Sequence, residues 1–115
     1  MPCIKCNVNV KIPNDIKESI KTKLGKSIEI IPGKSENWLM LVFNDNSKMY
    51  FRGRDDVPMA FIDIKLLVRN DVSDAYPELI SEITKIFSKE LNIESTNIFI
   101  KVDETFCWGY DGKML

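Results

Sequence analysis

PMAFIDIKLLV, residues 58–68, is an apolar run headed by a proline, and the chain begins in the same way, with Pro2 ahead of CIKCNVNVKI. Proline has no N–H to give to a sheet ladder, so the head of a strand is one of the few places that tolerates it. The first run alternates from Cys3 to Ile12. Ile4, Cys6, Val8, Val10 and Ile12 fall on one face, and Cys3, Lys5, Asn7, Asn9 and Lys11 on the other. A period of two predicts a half-buried strand. Pro13, Asn14 and Asp15 then signal a helix start, and Ile16, Ile20, Leu24, Ile28 and Ile31 recur at helical spacing, with Pro32-Gly33 the latest point at which the helix can stop. NWLMLVF (37–43) reads as the next strand, NDNS (44–47) as a turn, and KMYF (48–51) as a short returning hairpin arm.

The second run is followed by the same succession. Asp74 to Leu91 carries Leu79, Ile80, Ile83, Ile86, Phe87 and Leu91 on one stripe, with Pro77 in the first turn where its missing N–H does no harm, and TNIFIKV (96–102) is the strand beyond. The chain therefore reads as a duplicated βαβ unit, of α/β (α+β) class. Right-handed crossovers make each strand pair parallel and put both helices on one face of a four-stranded mixed sheet. NWLMLVF and PMAFI are apolar on both faces, so the face without helices also needs covering, and other copies of the chain are expected to supply the cover.

With 115 residues, the whole of 1–115 is expected to form a single domain. A net charge of −1, from 16 basic and 17 acidic residues without a basic stripe, argues against nucleic acid as a partner. No stretch approaches the ~18 apolar residues of a membrane span, and no signal-peptide pattern heads the chain, so a cytoplasmic location is expected, with any export by a leaderless route. Histidine is absent, which leaves acid–base chemistry to an amine, a carboxylate or a tyrosine. Cys3, Cys6 and Cys107 are an odd set expected to stay as free thiols, and alternation puts Cys3 and Cys6 on opposite strand faces, so their C-x-x-C spacing is not a redox or metal motif.

The Met-Pro start, GKSENWLML (33–41), PMAFIDIKLL (58–67), NIESTNIFI (92–100) and WGYDGKML (108–115) occur in one order along the chain. Together they resemble macrophage migration inhibitory factor and its relatives in the tautomerase superfamily. The resemblance implies a homotrimer in which three sheets form a barrel with the helices outside. It also implies keto-enol tautomerase activity on phenylpyruvate-like and dopachrome-like substrates, that is, small aromatic 2-oxo acids, with no cofactor and no metal. Pro2, exposed as a secondary amine once the initiator Met is removed, would be the catalytic base; the bland reading is that it only permits that removal and stiffens a strand end.

By the same resemblance Lys34 binds the substrate carboxylate and the Leu67 backbone N–H adds a second contact. Trp38, Trp108, Tyr110 and Leu115 form an apolar wall, and Phe99 and Lys101 come from a neighbouring subunit. Phe99 stands where well-known members have tyrosine, and Lys101 where they have asparagine. Met59 and Ile62 replace a C-x-x-C of some members, so thiol-oxidoreductase activity is not expected. FRGRDD (51–56) replaces a small neutral loop and reads as a solvated rim. The alternative is a non-catalytic, cytokine-like ligand of a cell-surface receptor with a vestigial pocket.

Overall fold

The computed structural model describes all residues, 1–115. Strands β1 (Pro2–Val8), β2 (Met40–Asn44), β3 (Ala60–Leu67) and β4 (Ile98–Thr105) form one sheet, and helices α1 (Asn14–Ser27) and α2 (Tyr76–Leu91) are the two crossovers. The sheet order is β2-β1-β3-β4. β1 pairs parallel with β2 and β3 parallel with β4, while β1 and β3 meet antiparallel at the centre, as two packed copies of one βαβ unit require. No helix is long and apolar enough to cross a membrane.

Both helices cover the same face. Ile4, Cys6 and Val8 of β1 and Ile62, Ile64 and Leu66 of β3 are buried there against Ile20 and Leu24 of α1 and Leu79, Ile83 and Phe87 of α2. Pro77 lies in the first turn of α2, and Asn92 ends that helix in the left-handed conformation at φ 53°. Cys6 is fully buried and its thiol is pushed up to about 12 by desolvation, which leaves it inert. Cys3 is half-buried on the opposite face, and all three cysteines are free.

Several expectations need correction. NWLMLVF is strand only from Met40, because a 3-10 turn over Glu36–Trp38 precedes it. β1 ends at Val8, because Asn9 turns its side chain to the Val57 carbonyl and the Met59 N–H, so the alternation expected to Ile12 stops early. KMYF is not a hairpin arm: β2 is an edge strand paired only with β1, and beyond it only a bridge between Phe51 and Arg54 forms. The open face is not simply apolar. The ladder sets Lys5 beside Asp63 and Asp63 beside Lys101, with Lys65 between Cys3 and Asp103. Lys65 binds Asp63 at 2.8 Å and Lys101 binds Asp103 at 3.1 Å, so this face is a charged checkerboard flanked by Phe61 and by Phe99, which is 56% exposed.

Candidate active site

The site forms where β1 begins. Pro2 pairs with Leu66, and the ladder continues one step further, where the Leu67 N–H donates to the Met1 carbonyl at 3.1 Å. Lys34 reaches the same place from the other side. It follows Gly33, whose φ of 81° is a left-handed conformation that favours glycine, and its Nζ donates to the Leu67 carbonyl at 2.5 Å. The chain's terminus, Lys34 and both polar groups of the Leu67 backbone are thus brought together at one end of the sheet.

Two hollows meet at Met1. A larger one of about 600 Å3 is lined by Pro2, Cys3, Trp38, Met40, Trp108 and Tyr110 among others, and a smaller one of about 220 Å3 by Lys34, Leu67, Arg69 and Asn70 among others. The aromatic wall comes from two distant segments. Trp38 closes a 3-10 turn (Glu36–Trp38) whose Glu36 packs against Gly25 of α1, where a Cβ would collide with the glutamate side chain. Trp108 and Tyr110 lie in and beside a short hairpin, β5 (Gly109–Tyr110) with β6 (Lys113–Met114), turned by Asp111 and Gly112 at φ 53° and 75°. Tyr110 meets Trp38 edge to face, with ring centroids 5.4 Å apart. Leu115 does not line the hollow; its N–H donates to the Trp108 carbonyl at 2.8 Å and fixes the hairpin base.

The electrostatics suit a base. The terminal amine of Met1 is lowered from 8.0 to about 6, first by desolvation and then by the charge and hydrogen bonding of Lys34, with a further contribution from Arg69. The Met1 amine is therefore disposed to be neutral at pH 7, and the Pro2 nitrogen lies one residue further along the same strand. No carboxylate lines either hollow.

Phe99 and Lys101 are not brought to this hollow within one chain. Phe99 stacks edge to face on Phe51, at 4.8 Å, in a separate apolar hollow of about 310 Å3. Lys101 stands on the open sheet face with Asp103. The FRGRDD run is a solvated rim in which Arg54 grips Asp56 through two bonds of 2.9 and 3.0 Å and Lys48 binds Asp55. Sequence reasoning missed Arg69 and the pairing of Met1 with Leu67. It also missed the β5–β6 hairpin, for which Asp111-Gly112 is a strong signal.

A four-stranded sheet built from two βαβ units is the fold of the macrophage migration inhibitory factor homologues. The structure superposes on MIF2 of Leishmania major with a TM-score of 0.87 at 21% identity, covering 100% of this chain and 97% of that one. The macrophage migration inhibitory factor-like protein of Entamoeba histolytica gives a TM-score of 0.85 at 25% identity, covering 99% and 98%. A homologue from Prochlorococcus marinus gives 0.84 at 21%, covering 97% of each chain. No family model matches the sequence, and no curated protein matches it.

Proposed function

We propose that the protein is a keto-enol tautomerase of small aromatic 2-oxo acids in which Pro2, freed of Met1, is the general base. The observation that carries this reading is the meeting of the chain's terminus, Lys34, the Leu67 backbone and the aromatic hollow at the head of β1. The neutral Pro2 nitrogen takes a proton from the carbon beside the substrate carbonyl. The electron pair moves through carbon to the carbonyl oxygen, and the same nitrogen, now cationic, returns the proton to that enolate oxygen to give the enol. Lys34 holds the carboxylate, and the Leu67 N–H joins it once the Met1 carbonyl is gone. Trp38, Trp108 and Tyr110 take the ring. The direct test is a phenylpyruvate tautomerisation assay on chain shown by mass spectrometry to begin at Pro2; no rate above background would reject the reading.

The working form, on this reading, is a homotrimer whose open sheet faces line the interior of a barrel, with Phe99 and Lys101 presented towards a neighbour's site. Support comes from the open face itself, where Phe61, Phe99 and the alternating charges have no cover and Asp63 keeps one buried carboxylate oxygen without a partner. Sedimentation at micromolar concentration is expected to give three times the 13.3 kDa chain mass. A stable monomer would contradict the shared site.

A further inference from the structure

The smaller hollow carries more positive charge than one carboxylate needs. Lys34 and Arg69 both line its 220 Å3, and no acidic side chain does. Lys34 donates to the Leu67 carbonyl and makes no ion pair with any carboxylate, and neither does Arg69. Arg69 also lines a second hollow, which it shares with Asp71 and Glu104, and both acids already hold other donors. Asp71 accepts from the Ser73 hydroxyl at 2.6 Å and the Ser73 N–H at 2.9 Å, and Glu104 accepts from the Tyr76 hydroxyl. Two like charges facing one small hollow that no acid lines repel each other, and an anion placed between them relieves both. Asn70 adds an amide beside Arg69.

We infer that this hollow receives an acid head group bearing two negative charges, with Lys34 holding one carboxylate and Arg69 the other, so that Arg69 sets specificity for aryl dicarboxylates over aryl monocarboxylates. The inference rests on the reading of the paired hollows as an acid site with an aromatic lobe, and it adds the substrate class. The ring of such a ligand lies in the 600 Å3 lobe against Trp38 and Trp108. The guanidinium suits the task, since its planar fork matches a carboxylate through two parallel bonds.

The test uses two unreactive acids of one skeleton, benzylmalonate and 3-phenylpropanoate, which differ by a single carboxylate. Their binding to chain beginning at Pro2 is followed by quenching of tryptophan fluorescence. Benzylmalonate is expected to bind about tenfold more tightly or better, the value of roughly one added charge-assisted contact. Arg69→Gln should remove that advantage and leave 3-phenylpropanoate within about twofold of its original affinity. Equal affinities in the unmodified protein, an Arg69→Gln variant that weakens both acids alike, or binding of neither acid would overturn the inference. The expected binding pattern in a protein that fails to tautomerise phenylpyruvate would reject the catalytic reading and leave this one standing.

Discussion

Chain that retains Met1 is expected to show phenylpyruvate tautomerisation near background, at least about a hundredfold below chain that begins at Pro2, because two separate losses coincide. With Met1 in place the Pro2 nitrogen belongs to an amide and has no usable basicity. The Met1 carbonyl also occupies the Leu67 N–H at 3.1 Å, so the second donor for a substrate carboxylate is taken. The fold should not notice the difference, since β1 pairs with β2 from Cys3 to Asn7 and with β3 from Pro2 to Val8, without Met1. Pro2→Ala with a free terminus should fall between the two, as a primary amine at the same place is a base that is less firmly aimed. Mass spectrometry on each sample, followed by rates on the same samples, checks the order. Full activity in chain proven to carry Met1 would remove Pro2 from the chemistry.

Lys34→Ala should lower kcat/KM for phenylpyruvate by roughly ten- to a hundredfold, the cost of one charge-assisted hydrogen bond of about 1.5–3 kcal/mol. Its effect on the methyl ester should be much smaller, because the ester presents no charge to Lys34. A second signature separates binding from structure. Lys34 is among the groups that lower the basicity of the terminal amine, so its removal should raise the apparent pKa of the base and move the acid limb of the rate profile to higher pH. Equal damage to acid and ester, with an unmoved profile, would make Lys34 a structural residue that merely ties its loop to the Leu67 carbonyl.

The duplicated βαβ unit was legible because each of its parts carries a period that one face of the sheet enforces. Ile4, Cys6 and Val8 alternate since they meet the helices, and Leu79, Ile83 and Phe87 recur since they meet the sheet. What lacked such a partner was misread. KMYF has the composition of a strand and no strand in its own chain to pair with, so propensity alone pointed to a hairpin that does not form. The open face was read as apolar because Met40, Val42 and Phe61 stand out in the sequence. The charges interleaved with them, Lys5, Asp63, Lys65 and Lys101, are recognisable as one array only when the register is known.

The candidate site divides in the same way. Pro2, Lys34, Trp38, Trp108 and Tyr110 were named from the resemblance, and no periodicity in the sequence would bring residues so far apart to one hollow. Arg69 lies just past the end of β3, where no pattern constrains a side chain, and it was found only through the lining of the smaller hollow. Phe99 and Lys101 lie elsewhere on the chain's own surface, and their assignment to a neighbouring subunit's site rests on the proposed trimer.

The most direct measurement is kcat/KM for phenylpyruvate as a function of pH, on chain confirmed to begin at Pro2. A base works when neutral, so the rate should rise with pH and level off above the pKa of the Pro2 nitrogen. Desolvation and the adjacent Lys34 lower the Met1 amine, and the same surroundings act on the Pro2 nitrogen one residue on, so the limb is expected below the ordinary α-amino range of about 7.7–8.0. A limb at or above that range, or a rate that does not depend on pH between 5 and 8, would contradict Pro2 as the base.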